Sequence, residues 1–336
     1  MKAGIYLGKG RVEVKELPTP TCGDDDVLVR NICSSICGTD VAVFNHGPGT
    51  GHRIAVGGEF GHETVSVIEQ VGKNVRGFSV GERVYPFPQL ARGDSSRAGT
   101  LGGFSEYILC PNPVRERSLY PVPADIPNKI ASLIEPFTVG GHAAKSAHPE
   151  VGEAAVVFGC GTIGIAAAIM LQHKGVSKVM LCDLSDFRLD IARKLGFSVC
   201  NTAQEDFYEK ARRYFGDSRA LTKRGVAANV WIDAAGAEGI MGLFMEHGPI
   251  DSRYVMVAVE RGTRPIDMLH LTYSSKSIIG SGGYRPDDVN DVMEIMSSGK
   301  WDIGSIITHE FTLDELPRAL RTASNPDTAL NVIVRI

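Results

Sequence analysis

The first third of the chain alternates apolar and polar residues over short segments, as half-buried β-strands do. Clusters of glycine, proline and aspartate separate these segments and favour turns. The pattern occurs in RVEVKEL, DVLVRNICSSI, ETVSVIEQVG, ERVYPF and FSEYILC. It predicts a twisted, β-rich domain up to about residue 110. Residues 88–103 show no periodicity and many turn-forming residues, which predicts an exposed loop.

From about residue 153, apolar runs alternate with helix-like segments. AAVVF is apolar throughout, as is a strand buried on both faces of a parallel sheet. TIGIAAAIMLQHKG and SDFRLDIARKLG predict helices, the second capped by Ser185 or Asp186. Further strands are predicted at KVMLCD, ANVWIDAAG, RYVMVAV and SIIGSGG. This alternation predicts a doubly wound parallel α/β sheet. Beyond residue 283, RPDDVNDVMEIMSSGK and LDELPRALRTAS predict helices, and IITHEFT and NVIVRI predict strands.

Length and composition narrow the classes of function. A chain of 336 residues is long enough for two domains. The net charge of −4 gives no basic surface for nucleic acid. No apolar run reaches the roughly 18 residues of a membrane helix, and the charged N-terminus does not resemble a signal peptide. The seven cysteines are odd in number and irregularly spaced, so we expect no disulfide framework and a cytoplasmic location.

A glycine-rich loop, FGCGTIG, follows the strand AAVVF and opens the next helix. Its glycines fit the dinucleotide-binding pattern in the strand–loop–helix context that the pattern requires. Gly159 permits a tight turn, Gly161 leaves room for pyrophosphate, and Gly164 lets helix and strand approach closely. Free N–H groups at the helix N-terminus attract phosphate. We therefore expect the cofactor to contact Gly159, Gly161, Thr162, Ile163 and Gly164. The alternative is a turn that serves packing alone.

Asp183 ends the next predicted strand, 19 residues after Gly164. A carboxylate at this position can accept hydrogen bonds from the ribose hydroxyls and repels a 2′-phosphate, so we expect NAD rather than NADP. Arg188 lies five residues further on and would weaken that preference if it turned toward the ribose.

Three potential metal ligands lie far apart in the sequence. Cys37 offers a thiolate, His62 an imidazole and Glu135 a carboxylate, and Glu63 is a neighbouring or exchangeable carboxylate. A catalytic zinc takes three such ligands and keeps one position open. Oxidation of an alcohol requires loss of the hydroxyl proton and stabilisation of the alkoxide, and zinc serves both needs as a Lewis acid. Each residue taken singly is more often an ordinary core thiol, polar side chain or helix-start carboxylate. Their combination with a dinucleotide loop favours the metal site.

The motifs CGTD, GHE, LIEP and FGCGTIG occur in the order found in zinc-dependent medium-chain alcohol and polyol dehydrogenases. The chain resembles this family over nearly its whole length, and its Glu-Pro pair resembles the sorbitol-dehydrogenase-like branch. The resemblance implies a GroES-like catalytic domain at 1–145, a Rossmann domain at 146–282 and a return to the catalytic domain at 283–336. It implies Cys37, His62 and Glu135 as zinc ligands, Glu63 as the adjacent carboxylate, and Thr39 as the hydroxyl that passes on the substrate proton.

Two departures from the family pattern stand out. Many members bind a structural zinc through four closely spaced cysteines after a segment like GERV, whereas this chain has only Cys110 there. We therefore expect one catalytic zinc per chain and no structural zinc. Ala42 occupies the position where many members have a proton-relay histidine, so water or His46 would have to replace it.

The leading hypothesis is a zinc- and NAD-dependent dehydrogenase that oxidises a secondary hydroxyl of a polyol, sugar or related small-molecule alcohol. A zinc-free NAD(P)H-dependent enone or quinone reductase of the same superfamily is one alternative, and a catalytically silent nucleotide-binding protein is another. The apolar segments RYVMVAV and SIIGSGG suggest pairing of sheets between subunits, and hence a homodimer or homotetramer.

Overall fold

The computed structural model describes residues 1–51, 53–94, 97–221, 224–259 and 262–336. The chain divides into two compact units, one formed by Met1–Pro136 with Val289–Ile336 and the other by Phe137–Asp288. The divisions fall at other positions than the expected 145 and 282. Their position within or beside a helix explains why sequence pattern does not mark them, because helix Ile134–Ser146 runs through the first and helix Asp288–Ser297 begins at the second.

The secondary structure of the described residues comprises strands, α-helices and two short 3₁₀ helices at Ile303–Ile306 and Leu313–Glu315. The strands are β1 (Lys2–Tyr6), β2 (Val12–Glu16), β3 (Asp26–Ser35), β4 (Glu63–Val71), β5 (Arg83–Pro86), β6 (Tyr107–Pro111), β7 (Leu119–Pro121), β8 (Ala154–Phe158), β9 (Lys178–Asp183), β10 (Ser198–Asn201), β11 (Asp217–Arg219), β12 (Arg224–Val226), β13 (Val230–Asp233), β14 (Arg253–Met256), β15 (Ser277–Gly280), β16 (Ile307–Thr312) and β17 (Asn331–Arg335). The helices are α1 (Gly38–His46), α2 (Asn128–Ala131), α3 (Ile134–Ser146), α4 (Thr162–His173), α5 (Asp186–Lys194), α6 (Phe207–Phe215), α7 (Ile240–His247), α8 (Met268–Tyr273), α9 (Asp288–Ser297) and α10 (Leu316–Ala323).

The first unit is built on a seven-stranded sheet. Its strands lie in the order β16-β17-β3-β4-β5-β7, and β6 also pairs with β3. Each of the five alternating segments of the sequence contains a strand, so the β-rich prediction is confirmed. The C-terminal strand β17 pairs with β3, which joins the end of the chain to the first domain.

The predicted loop at 88–103 contains no regular helix or strand among its described residues, 88–94 and 97–103. Ser95 and Ser96 lie outside the described residues. The expectation of exposure is wrong for Ala91, Leu101, Gly102 and Gly103, which are buried. Asn31 explains part of this burial, because its amide Nδ2 donates to the Ser105 carbonyl at 2.6 Å just beyond the loop. A side chain 74 positions away in sequence therefore holds the end of the loop against the sheet.

The second unit is built on a six-stranded parallel sheet in the order β10-β9-β8-β13-β14-β15. The chain starts at the centre with β8, proceeds to one edge, and then returns to build the other half from β13. This is the predicted doubly wound sheet, and its switch point lies between β8 and β13. The predicted helices α4 and α5 are present, and Ser185 is the N-cap of α5. Trp231 is fully buried at the centre of the core on one face.

No described helix is long and apolar enough to cross a membrane.

Candidate active site

Three potential metal ligands meet at one end of the first unit's sheet. Among the described residues, Cys37, His62 and Glu63 form the group whose donor atoms all lie within 4.8 Å of one another. The register of β3 and β4 explains why residues 25 positions apart meet. These strands are antiparallel and Ser35 pairs with Glu63, so the residues just after β3 face those at the start of β4.

The helix α1 follows Cys37 directly. Cys37 is the N-cap of α1, and Asp40 lies in the first turn of that helix. The carboxylate of Asp40 accepts a hydrogen bond from the Cys37 backbone N–H at 3.1 Å, and so fixes the start of the helix. Cys37 is thus held at the N-terminal end of α1.

Asp40 is a site residue that the sequence analysis missed. It is fully buried, and its Oδ1 lies 3.8 Å from Nδ1 of His62. A carboxylate beside one imidazole nitrogen orients the ring and leaves the other nitrogen for a metal. The available signal was its position three residues after Cys37, where an acidic residue commonly completes a helix cap.

Gly61 sets the direction of the chain before His62. Its φ of +87° lies in the left-handed region, and a Cβ there would meet the Phe104 ring at 2.6 Å. Any other residue at this position would be strained and would push against a buried aromatic side chain. The geometry therefore requires the glycine of the GHE motif, which places His62 and Glu63 at the start of β4.

Burial and mutual repulsion dominate the electrostatics of this group. Burial raises the pKa of the Cys37 thiol, and the negative charges of Glu63, Asp40 and Glu135 raise this pKa further. Burial also raises the pKa of Asp40 to about 6 and raises the pKa of Glu63. For His62, burial lowers the pKa, but the carboxylates of Asp40, Glu135 and Glu63 outweigh it and the net shift is upward. A buried cluster with this much acidic character calls for a cation.

Glu135 lies in the first turn of α3 and is 7% exposed. Its charge raises the pKa of both Cys37 and His62, but its carboxylate is outside the group of described donor atoms that lie within 4.8 Å of one another. Pro136 follows it, and a proline fits the first helical turn because its missing N–H has no acceptor there. The helix start thus fixes the position of the carboxylate.

Thr39 lies on the first turn of α1, and its hydroxyl Oγ1 donates to Cys37 Sγ at 3.1 Å. His46 is the last residue of α1, nine positions after Cys37 and so about 13 Å further along the helix axis. His46 is therefore at the opposite end of the helix from Thr39. The expectation that it replaces the missing relay histidine at Ala42 gains no support from this geometry.

The donor set suits zinc. Tetrahedral zinc with bonds of about 2.0–2.3 Å needs donor atoms about 3.3–3.6 Å apart, so small side-chain adjustments from within 4.8 Å are sufficient. One thiolate, one imidazole and carboxylates form a mixed set of the kind found in catalytic zinc sites. Buried acids beside the ligands would offset the charge of the metal.

We expect zinc affinity to rise with pH. Because the pKa values of Cys37, His62 and Glu63 are all raised, these groups keep their protons to higher pH than usual, and the metal must displace those protons. Lower pH therefore weakens binding. Competition with a chelator between pH 6 and 8, together with calorimetry in buffers of different ionisation enthalpy, measures the protons released. An affinity independent of pH, with no proton release, would contradict this account.

The glycine loop has the geometry that phosphate binding requires. Gly159 has φ +100°, and a Cβ there would meet the Ala234 carbonyl carbon at 3.0 Å. A Cβ on Gly164 would lie 1.8 Å from the Gly159 carbonyl oxygen, so only glycine fits. Gly161 is the N-cap of α4, and a Cβ there would meet nothing within 4 Å. Thr162 and Ile163 form the first turn of α4, where N–H groups lack intrahelical acceptors.

Asp183 lies at the carboxyl end of β9, beside this loop. Its Oδ2 accepts a hydrogen bond from Cys160 N–H at 2.7 Å, and its Oδ1 accepts from Leu184 and Ser185 N–H. The carboxylate therefore fixes the glycine loop, and about one of its four lone pairs is left for a further donor. Arg188 lies near the same loop, since its charge lowers the pKa of Cys160, which burial and Asp183 raise.

Comparison with known protein families gives two matches. Residues 23–124 match the alcohol dehydrogenase GroES-like domain, and residues 162–298 match the zinc-binding dehydrogenase domain. The chain is 30% identical over 322 residues to an L-threonine 3-dehydrogenase of Anaeromyxobacter dehalogenans, covering 89% of this chain and 88% of that protein. It is also 30% identical over 341 residues to the enzyme of that name from Shewanella frigidimarina, covering 94% and 95%.

Solved structures with the same fold include two polyol-related enzymes. The 2R,3R-butanediol dehydrogenase of Bacillus subtilis superimposes with a TM-score of 0.86 at 22% identity, covering 100% of this chain and 99% of the other. The galactitol-1-phosphate dehydrogenase of Escherichia coli superimposes with a TM-score of 0.82 at 22% identity and full coverage of both chains. The predicted fold, a GroES-like domain with a Rossmann domain, is thereby confirmed.

Proposed function

Because the chain belongs to the zinc-dependent medium-chain alcohol dehydrogenase family, whose members act on CH–OH groups, we propose that it oxidises a secondary hydroxyl of a polyol, sugar or related alcohol to the ketone with NAD. The Cys37–His62–Glu63 donor group, with His62 and Glu63 buried and Cys37 half-buried, carries this proposal. A zinc-free reductase would have no use for three metal ligands within 4.8 Å.

Cys37 and His62 would hold one zinc ion per chain, together with one or both of Glu63 and Glu135. When bound, zinc supplies a Lewis acid and NAD supplies the hydride acceptor. Asp40 would keep the His62 ring oriented, since its carboxylate faces Nδ1. Burial of His62 and Glu63 would strengthen the charge interactions at this site.

Thr39 would take the substrate proton at Oγ1. Its hydroxyl contacts the Cys37 sulfur, which places it beside the proposed metal position. We expect Thr39→Val to lower kcat about 100-fold, the lower end of the range for a lost proton-transfer group. Thr39→Ser should keep kcat within about tenfold, because the hydroxyl is retained. Steady-state kinetics and zinc content check this prediction, and a Thr39→Val enzyme with full zinc and wild-type kcat would contradict it.

NAD would bind at the glycine loop, with Asp183 facing the ribose. The position of this carboxylate at the end of β9 supports NAD over NADP, because it would repel a 2′-phosphate. Arg188 opposes that effect, so we expect residual activity with NADP and not its complete loss.

The decisive experiment measures metal content and turnover in protein purified without chelators or a histidine tag. We expect about one zinc per chain. A panel of L-threonine, 2,3-butanediol, sorbitol, L-idonate and galactitol 1-phosphate, with NAD and NADP in parallel, would then identify the substrate class and the preferred cofactor. No zinc in protein that binds NADH and reduces an enone would favour the zinc-free reductase. One zinc with no turnover on any alcohol would favour the silent nucleotide-binding protein.

We also propose a cytoplasmic homodimer or homotetramer. The seven cysteines are free thiols, which supports a reducing compartment. In the described sheet β15 is an outer strand, and the nearby helix α8 exposes Met268, Leu269 and Tyr273 by more than 60% each. An outer strand beside exposed apolar side chains favours pairing with a second copy. Light scattering of the purified protein measures the mass, and a monomer at micromolar concentration would exclude this assembly.

A further inference from the structure

A fully buried carboxylate lies at the switch point of the parallel sheet, outside every group that the proposed mechanism uses. Asp233 is the last residue of β13, and its residue exposure is 0%. Its Oδ1 accepts hydrogen bonds from Ala235 N–H at 3.0 Å and Gly236 N–H at 2.7 Å. Its Oδ2 accepts from the Tyr254 hydroxyl at 2.5 Å. Three donors therefore satisfy this buried carboxyl group and fix its position.

The turn that follows Asp233 is held from both sides. The Asp233 carboxylate accepts from the N–H groups of the turn. The Arg264 guanidinium donates to the carbonyls of Gly236 at 2.7 Å and Ala237 at 3.1 Å. Gly236 has φ +73°, which the turn requires. The main-chain carbonyl of Asp233 also accepts from Val257 and Ala258, which joins the ends of β13 and β14. We call Ala234–Ala237, with these anchors, the β13 turn.

The β13 turn faces the glycine loop across the switch point. A Cβ on Gly159 would meet Ala234 and Ala235 main-chain atoms at 3.0–3.1 Å, so the two loops are in direct contact at this position. In doubly wound sheets a ligand binds in the crevice where the strand order reverses, here between β8 and β13. One mononucleotide half lies over β8–β10, and the other lies over β13–β15.

From this placement we infer that Asp233, Tyr254 and Arg264 are positioning residues for the nicotinamide half of the dinucleotide. The inference rests on the proposed function, because it assumes that NAD occupies the crevice. The adenosine and pyrophosphate groups belong to the glycine loop and α4. The β13 turn forms the second wall, and its anchors hold it rigid before the cofactor arrives, which lowers the entropy lost on binding. The affinity for NADH should therefore depend on these anchors, whereas the affinity for a ligand without the nicotinamide riboside should not.

The test compares NADH with ADP, which has the adenosine and pyrophosphate but not the nicotinamide riboside. Tyr254→Phe removes only the hydroxyl that donates to Asp233, and Arg264→Gln removes the charge and one of the two carbonyl contacts. Tyr208→Phe is the matched control, because its hydroxyl donates to the Arg224 carbonyl elsewhere in the same unit. Calorimetric titration of the purified full chain gives both affinities, and a melting curve checks the fold of each variant.

We expect Tyr254→Phe and Arg264→Gln to lower the affinity for NADH about tenfold, which corresponds to the loss of roughly one hydrogen bond to a charged group. The affinity for ADP should stay within twofold of the wild-type value. Tyr208→Phe should change neither affinity. Equal losses for NADH and ADP would overturn the inference, since the anchors would then support the whole fold. Unchanged NADH affinity in both variants would also overturn it. If the wild-type chain bound neither ligand, the proposed dinucleotide site would itself be wrong, and the inference would fail with it. If Tyr254→Phe does not fold, the Arg264→Gln variant alone provides the test, because Arg264 is only half-buried.

Discussion

Replacement of Cys37 by alanine is expected to abolish zinc binding and to lower turnover about 1,000-fold or more. The sulfur is one of three donors in the group, and a metal that provides several kcal/mol of transition-state stabilisation would be lost with it. NADH affinity should remain near the wild-type value, because the glycine loop belongs to the other compact unit. Elemental analysis, steady-state kinetics and NADH titration of the same preparation measure all three quantities.

Cys33→Ala provides the matched control for this experiment. Cys33 is buried and lies in β3, four residues before Cys37, and burial raises the pKa of its thiol to about 11. It is absent from the donor group found among the described residues, so its removal should leave zinc content and kcat unchanged. Equal loss of NADH affinity in Cys37→Ala would mean that the two sites are not separable or that the fold has failed.

The second large effect is a contrast within the glycine loop. Gly161→Ala should fold normally, because the added methyl group meets nothing within 4 Å and φ is −75°. It should nevertheless lower the affinity for NADH tenfold or more, since the methyl group would occupy the space that pyrophosphate needs. A tenfold loss of affinity corresponds to about 1.4 kcal/mol of binding free energy. Gly164→Ala should instead destabilise the fold by about 3 kcal/mol or more, because its Cβ would lie 1.8 Å from the Gly159 carbonyl oxygen.

Gly239→Ala is the control for both substitutions. Gly239 is the N-cap of α7, and a Cβ there meets nothing within 4 Å, as at Gly161. It lies at the start of a different helix from the glycine loop, so neither the free energy of unfolding nor the affinity for NADH should fall appreciably. Wild-type NADH affinity in Gly161→Ala would show that the phosphates do not approach this glycine, and would remove the loop from the proposed site.

Strong local patterns determined much of the second unit. AAVVF, KVMLCD and SDFRLDIARKLG each contain a buried run or a capped helix, and β8, β9 and α5 form there. The helix after Cys37 was missed, because α1 (GTDVAVFNH) begins with Gly-Thr-Asp and lacks a clear apolar stripe. The helix forms because Asp40 caps its start and because Val43 and Phe44 are buried in the core.

The sequence by itself determined which chemistry is available: a thiol, an imidazole and carboxylates of zinc-ligand type, and a glycine loop between a strand and a helix. These are properties of residue type and short spacing, and they do not depend on the fold. Only the tertiary structure decided that Ser35 pairs with Glu63 and so brings Cys37 to His62, and that Asp40 faces the imidazole. It also decided that Asp233 lies opposite the glycine loop. Strand register and strand order arise from contacts between distant segments, whose free energy is shared among many side chains, and no local pattern encodes them.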